Sequence, residues 1–141
     1  MKKNAEKWPR IYVCHTYYHV YVTFLKELKL PREHQGQADL VLSSMSNDFE
    51  DLKGRVEAVG LFRKVIEFDE KREDFFPELA RWREGTGGFP GNLWHRIRFT
   101  RRYAELEAPY VPVDFREYRD IYVYCDSDPV GYYLNQNKIY Y

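Results

Sequence analysis

The sequence predicts an α/β fold in which helices cover both faces of an open parallel sheet. Two apolar runs rich in β-branched and aromatic residues, 10–15 and 120–125, are typical of strands buried on both sides. Each run leads through a short turn into a segment whose apolar residues recur at helical spacing. Strands that alternate with helices in this way favour a parallel, Rossmann-like sheet.

The first half of the chain is predicted to form three strands joined by two helices. Thr16 is the expected N-cap of the first helix, which ends before Pro31. Asn47 or Asp48 is the expected cap of the second helix, and Gly60 is its expected end. The three strands are residues 10–15, 38–42 and 62–68.

The second half is less regular. We expect a short helix at residues 74–83, a glycine-rich loop at 85–91, an arginine-rich helix from a cap at Asn92 to Leu106, and a strand at 120–125. A short helix starts at Pro129, and a last strand begins at residues 138–141. Because no helix follows that strand, the sequence predicts a single domain over residues 1–141 that is a fragment of a longer protein.

The composition fits a folded domain and argues against some partners. Of the 141 residues, 44% are hydrophobic and 31% charged, a balance typical of globular proteins. Aromatic residues make up 18%, which suits a partly wet cleft, an interface, or an ordinary core in which tyrosine replaces leucine. The 22 basic and 22 acidic residues balance, so no nucleic-acid partner is expected.

Cysteine use and the N-terminus indicate the compartment. Cys14 and Cys125 fall in predicted buried strands and indicate neither a disulfide framework nor a zinc site. The basic start at Lys2 and Lys3 is not followed by a signal-peptide pattern, and no run reaches membrane-spanning length. The sequence therefore predicts a cytoplasmic protein.

A ligand crevice is expected beyond the carboxyl ends of the strands. With the expected strand order 3-2-1-4-5, the direction of the crossovers reverses at the first strand, and open α/β sheets bind ligands at such a point. The helix N-termini there favour anionic or hydroxyl-rich ligands. The candidate substrate-binding residues are His15, Thr16 and Tyr17 after the first strand, Ser44 after the second, and Asp126, Ser127 and Asp128 after the fourth.

Several of these residues also have a purely structural explanation. His15 can bond to a neighbouring loop, and His19 lies in the first turn of a helix, which favours a structural role. Either Asp126 or Asp128 can cap the helix that follows, which leaves one carboxylate over for a functional role.

The arginine-rich helix and the glycine-rich loop do not identify a ligand. Four arginines (Arg96, Arg98, Arg101 and Arg102) suit a solvated face, a phosphate-bearing acceptor, an acidic partner or a peripheral contact with the inner membrane face. The glycines at 85–91 do not follow a strand directly, and no Gly-x-Gly-x-x-Gly motif follows the first strand. A classical dinucleotide site is therefore disfavoured.

Two segments resemble a known family. Residues 11–23, Ile-Tyr-Val-Cys-His-Thr-Tyr-Tyr-His-Val-Tyr-Val-Thr, and residues 120–134, Asp-Ile-Tyr-Val-Tyr-Cys-Asp-Ser-Asp-Pro-Val-Gly-Tyr-Tyr-Leu, resemble the N-terminal part of bacterial glycosyltransferase family 52, the lipooligosaccharide sialyltransferase-like group. In that family a first strand runs into a short threonine-containing turn and an apolar helix, a pattern that residues 13–24 reproduce. The likeness extends over most of the chain, although strand-turn-helix patterns recur in many α/β folds.

The resemblance implies that the chain is the acceptor-side, N-terminal domain of a two-domain (GT-B) enzyme, truncated before a C-terminal nucleotide-binding domain. Such enzymes transfer a sugar, typically sialic acid from a CMP-linked donor, to a glycan acceptor in surface polysaccharide or lipooligosaccharide synthesis, with inversion and with no required metal or cofactor. The family's general base lies in an acidic-glycine motif, which is expected beyond Tyr141, and its His-Pro motif is also absent from this sequence. The isolated chain is therefore expected to bind acceptor without catalysing transfer.

Two other functions stay open at this point. Asp126 and Asp128 form an Asp-x-Asp pattern, which in metal-dependent nucleotide-sugar transferases holds Mg²⁺ or Mn²⁺ on a diphosphate. The other alternative is a non-catalytic binding or assembly domain that forms homo-oligomers through exposed tyrosine and tryptophan.

Overall fold

The computed structural model describes residues 6–46, 48–83, 85 and 87–141. Of the sequence predictions, the cap at Asn47 and Thr86 of the glycine-rich loop lie outside the described residues. The strands and helices are, in chain order, β1 (Trp8–Cys14), α1 (Tyr17–Leu28), β2 (Ala38–Ser43), α2 (Leu52–Val59), β3 (Lys64–Phe68), α3 (Ala80–Arg83), α4 (Phe89–Glu107), β4 (Tyr118–Val123) and α5 (Pro129–Gln136).

The four strands form one parallel sheet in the order β3-β2-β1-β4. Near the carboxyl end of β1, Val13 pairs with Val41 of β2 on one side and with Val123 of β4 on the other. The predicted α/β class, the parallel sheet and the order of the first four strands are confirmed.

The described residues fall into two compact units. Unit 1 comprises those within Met1–Phe68, Pro112–Tyr124 and Tyr141, and unit 2 comprises those within Asp69–Val111 and Cys125–Tyr140. Within the described residues, every helix is too short or too polar to span a lipid bilayer.

In unit 1, α1 and α2 pack on one face of the sheet. Alternate residues of a strand share a face, and Tyr12 and Cys14 of β1 contribute to the same buried cluster as Leu40 and Leu42 of β2. The helices contribute Val20, Phe24, Leu52 and Val56 to this cluster.

A buried ion pair joins α1 to β1. The Glu27 carboxylate is fully buried, and Arg10 donates to its two oxygens from Nε at 2.8 Å and from Nη2 at 3.0 Å. Tyr12 donates its hydroxyl to Glu27 Oε1 at 2.7 Å. Burial, together with this bond to the carboxylate, raises the pKa of Tyr12 well above its usual range. A charge-assisted, bidentate contact of this kind fixes the orientation of both side chains.

A second buried carboxylate lies at the amino end of the sheet. Tyr118, the first residue of β4, donates to Asp39 Oδ2 at 2.6 Å, and Arg63 also binds this oxygen. The Arg63 guanidinium stacks on the Trp8 ring at 3.6 Å from its centroid. These contacts connect the start of β4 with β2 and with the residue before β3.

Unit 2 is built on an aromatic cluster that α4 and α5 share. Phe76, Leu79 and Tyr103 are buried, and Phe99 and Tyr132 pack against them. The last residue of α4, Glu107, places a buried carboxylate next to the segment that follows β3.

The predicted strand at residues 138–141 is wrong. Lys138 adopts a left-handed conformation with φ 54°, and its N–H donates to the Asn135 carbonyl at 3.1 Å. The N–H of Ile139 donates to the Leu134 carbonyl at 2.9 Å, and the Ile139 side chain is buried. These two bonds form a Schellman motif, so the segment ends α5 instead of starting a strand.

Other boundaries differ from the predictions. The cap predicted at Asn92 is wrong, because α4 begins at Phe89 after Gly88, and Pro90 is tolerated in a first helical turn. The helix predicted at 74–83 is two 3-10 turns followed by the single turn of α3, with Pro77 opening the second of them. Asp51 occupies the N-cap position of α2 in place of Asp48.

Candidate functional site

The turn after β1 is held by a threonine cap. Thr16 has an extended backbone (φ −137°, ψ 159°), and its hydroxyl accepts a hydrogen bond from the N–H of His19 at 3.2 Å. This cap satisfies one of the free N–H groups in the first turn of α1, as the sequence predicted. Thr16 is half-buried and Tyr17 is exposed, so the turn presents both side chains at the end of the strand.

A chain of polar contacts lies beneath this turn. The backbone N–H of His15 donates to His19 Nδ1 at 3.1 Å, which assigns the proton of a neutral His19 ring to Nε2. The His19 ring stacks on Tyr124, with 4.8 Å between centroids and 14° between planes. The Tyr124 hydroxyl is bonded to Thr23 Oγ1 at 2.7 Å. His19 therefore has the structural role that its position predicted, and it helps to fix the turn.

The two thiols of the chain differ in their surroundings. Cys14 Sγ contacts Thr23 Oγ1 at 3.4 Å, and burial raises the pKa of the Cys14 thiol to about 12. A thiol in this state is not a nucleophile at neutral pH. Cys125 is half-buried, and both cysteines are free.

His15 and Tyr17, both predicted to bind substrate, differ in accessibility. The His15 side chain is 1% exposed, whereas Tyr17 is 51% exposed and packs edge-to-face on Phe49 at 5.2 Å between centroids. Within unit 1, Tyr17 is therefore the better placed of the two to contact a ligand directly.

Ser44, also predicted to bind substrate, connects two strand ends. Its hydroxyl donates to the Phe68 carbonyl at 3.3 Å, and its backbone N–H donates to the same oxygen at 3.0 Å. The residue thus ties the turn after β2 to the end of β3, a role that the sequence did not predict.

In unit 2, Asp126, Ser127 and Asp128 precede α5 and take different roles. Asp128 occupies the N-cap position of α5, and its carbonyl accepts from the N–H groups of Gly131 and Tyr132 at 2.9 and 3.2 Å. Asp126 and Ser127 are exposed, and Ser127 Oγ lies 3.3 Å from Cys125 Sγ. Asp128 thus holds the predicted N-cap position, although its side chain makes no cap hydrogen bond to α5, and Asp126 lies outside the cap.

Gly131 sets the position of this turn. A Cβ atom on Gly131 would lie 2.1 Å from the Asp126 carbonyl oxygen, so only glycine permits the observed approach. The turn that carries Asp126 therefore packs directly on the first turns of α5.

Asp126 and Ser127 line a recess of about 400 Å³ in unit 2. The opposite wall comes from α4, which contributes Arg96, Thr100 and Arg101. From α5 the recess is lined by Tyr132, Asn135 and Gln136. Burial raises the pKa of Tyr132, and the nearby positive charge of Arg96 opposes that rise. Tyr132 is therefore a neutral hydroxyl at physiological pH.

The recess combines the groups that bind hydroxyl-rich, negatively charged ligands. Guanidinium groups bind carboxylates and phosphates through paired N–H donors. A carboxylate such as that of Asp126 accepts hydrogen bonds from sugar hydroxyls, and the amides of Asn135 and Gln136 both donate and accept.

The structure brings some of the predicted residues together and adds others. Asp126 and Ser127 share the recess, whereas Asp128 is not among its lining residues. The arginine-rich helix, for which the sequence left several roles open, supplies Arg96 and Arg101 to it. The concentration of arginine was the signal for this wall, but only the packing of α4 against α5 shows which arginines face Asp126.

In the part of the chain that the structure describes, no three His, Cys, Asp or Glu side chains gather in a group suited to a metal ion. Comparison with protein-family models, curated proteins and solved structures finds no match to this chain.

Proposed function

We propose that this chain is the acceptor-side part of a nucleotide-sugar-dependent glycosyltransferase of the sialyltransferase-like kind, acting at the cytoplasmic side of the cell. The observation that supports it best is the strand order β3-β2-β1-β4. In this order β1 is the point where the crossovers reverse, which is where open parallel sheets bind ligands. The chain continues from β1 into the turn with His15, Thr16 and Tyr17, a segment that resembles glycosyltransferase family 52.

The chemistry of the unit 2 recess supports the same proposal. Acceptor glycans of surface polysaccharides carry many hydroxyl groups and often a carboxylate or phosphate. Asp126 orients an acceptor hydroxyl by accepting its hydrogen bond, and Arg96 and Arg101 neutralise the negative charge of the acceptor. The CMP-linked donor and the general base belong to the C-terminal domain that the family resemblance implies.

The proposed acceptor role can be tested by measuring glycan binding to the chain alone. Saturation-transfer NMR with the chain and a galactose-terminated oligosaccharide bearing a sialic acid is expected to show contact between glycan and protein. Asp126→Asn removes the charge and half of the accepting capacity of this side chain, so we expect at least a tenfold loss of affinity, on the order of 1.4 kcal/mol. The matched control is Asp74→Asn, an exposed aspartate of the same unit, which should leave binding unchanged.

The result also separates this proposal from the alternatives. Glycan binding that needs added Mn²⁺ would favour a metal site at Asp126 and Asp128. No glycan binding by the wild-type chain, or equal binding by Asp126→Asn, would contradict the acceptor role. In an enzyme that includes the catalytic domain, Asp126→Ala should slow transfer to acceptor more than it slows hydrolysis of the donor, and equal effects would remove Asp126 from the acceptor site.

A further inference from the structure

The helix α4 has an unusual distribution of charge along the chain. Residues 85–104 contain four arginines and neither aspartate nor glutamate, although the chain as a whole is electrically balanced. This stretch includes the first sixteen residues of α4 (Phe89–Glu107). These sixteen residues of α4 therefore carry a local excess of positive charge.

The same helix carries apolar residues on two different faces. Phe99, Tyr103 and Leu106 take part in the aromatic cluster of unit 2. Phe89, Leu93 and Ile97 recur every four residues and so lie on a common face. They are 80%, 47% and 48% exposed. Trp94, which is 54% exposed, lies beside them, and we call these four residues the apolar stripe.

Arginines border the apolar stripe. At 3.6 residues per turn, Arg96 and Arg98 fall on either side of it. Arg101 continues the row of Leu93 and Ile97 by one turn and pairs with Glu105 at 3.5 Å. The Arg98 guanidinium lies over the Trp94 ring at 4.5 Å from its centroid. The exposed apolar side chains of the stripe are therefore combined with a guanidinium group that is held against one of them.

We propose that the apolar stripe of α4 lies on an anionic lipid bilayer. A helix with aromatic and aliphatic residues on one face and arginines at its borders binds in the interfacial plane of a membrane, with its apolar face among the acyl chains. Tryptophan favours headgroup depth, and arginines at the borders meet anionic phosphates. The first acidic residue of α4, Glu105, pairs with Arg101 and Arg102, which leaves Arg96 and Arg98 at the borders of the apolar stripe as the cations that meet an anionic surface. The charge complementarity thus favours anionic lipid as the occupant.

Vesicle co-sedimentation tests this proposal with the chain as it is. The chain should sediment with vesicles of phosphatidylcholine and phosphatidylglycerol but not with vesicles of phosphatidylcholine alone, and added salt should weaken binding. Trp94→Ser combined with Leu93→Ser should abolish sedimentation. Arg98→Ala should weaken binding about fivefold, the effect of one cation near an anionic surface.

Matched controls use exposed residues elsewhere. Tyr18→Ser and Tyr21→Ser remove two exposed aromatic side chains from α1, and Arg55→Ala removes an exposed arginine from α2. These variants should sediment like the wild type. Lack of binding to the anionic vesicles, or equal binding by the stripe variant, would overturn the proposal. So would a lipid-free dimer, seen by sedimentation velocity, that the stripe variant dissociates, because the occupant would then be a second copy of the chain.

Discussion

Glu107, the last residue of α4, carries a carboxyl group that has no contact with water. It is fully buried, and its Oε1 accepts a hydrogen bond from the N–H of Lys71 at 2.8 Å, whereas its Oε2 has no partner within the described residues. Burial raises the pKa of Glu107 to about 7, and the nearby carboxylate of Glu70 adds to the rise. Glu70 is also buried and accepts from the N–H of Val130 at 2.7 Å, in the first turn of α5.

This raised pKa makes stability depend on pH with a definite sign. An unfolded glutamate titrates near 4.5, so the folded chain holds an extra proton between pH 4.5 and about 7. The stability that protonated Glu107 confers is complete below that window and is lost as the pH rises through it. Glu107→Gln should therefore stabilise the protein by about 2 kcal/mol at pH 8 and by much less at pH 4.5.

Urea denaturation of the wild type and Glu107→Gln at the two pH values checks this prediction. Glu105→Gln is the matched control, because Glu105 is exposed on the same helix and pairs with Arg101 and Arg102 at the surface. Its effect should stay within about 0.5 kcal/mol at either pH. A stabilisation by Glu107→Gln that does not vary with pH would show that Glu107 is charged throughout.

At the scale of elements, the contact between α5 and the turn before it is possible because Gly131 has no side chain. Gly131→Ala would force the Asp126 carbonyl away, since backbone and not a flexible side chain is in the way. We expect a loss of about 2 kcal/mol in the free energy of unfolding and a displaced Asp126 in the recess.

Gly54→Ala in α2 is the matched control for that substitution. A Cβ atom there meets nothing within 4 Å, so alanine should stabilise the helix by about 0.5–1 kcal/mol. Opposite signs for the two substitutions in chemical denaturation would support the close approach. A neutral or stabilising Gly131→Ala would contradict it.

The elements also show where sequence reasoning succeeds. Thr16 could be predicted as a cap because its partner, the N–H of His19, is only three residues away in the sequence. The strand order followed from alternating strands and helices, because right-handed crossovers leave few arrangements. Lys138 was misassigned because β-prone residues follow it, whereas its left-handed conformation depends on the preceding helix.

The candidate site was harder to predict from the sequence than the fold. Asp126 and Ser127 could be found because they follow a recognisable strand. Arg96 and Tyr132 could not be assigned to the same recess, since nothing local relates residues on α4 to residues on α5. Glu70 and Glu107 were not anticipated either, because their partners lie 60 and 36 residues away in the chain.

At the scale of the whole molecule, neither unit is a continuous stretch of chain. The chain leaves unit 1 after Phe68, returns at Pro112 and leaves again after Tyr124. A single cut therefore cannot separate the two units, and a fragment that ends at Phe68 lacks β4. The chain has to be studied as one piece.

Amide hydrogen exchange should be slower in the central strand β1 than in the edge strand β3. β1 pairs with β2 and β4, whereas β3 pairs with β2 alone among the described strands. We expect amides of Ile11 to Cys14 to exchange only through global unfolding, and those of β3 to exchange at least tenfold faster. Mass spectrometry or NMR of the native chain provides the measurement, and equal protection of β1 and β3 would contradict the prediction.

The buried carboxylate of Glu27 has a consequence for how the chain selects its fold. Sliding α1 along β1 by one helical turn, about 5.4 Å, would take Glu27 away from Arg10 and Tyr12. The misplaced chain would then contain an isolated negative charge in a dry interior, which is far more costly than a poorly packed methyl group. The ion pair between Arg10 and Glu27 thus disfavours packings in which α1 is shifted along β1, including shifts that burial of apolar side chains alone would not exclude.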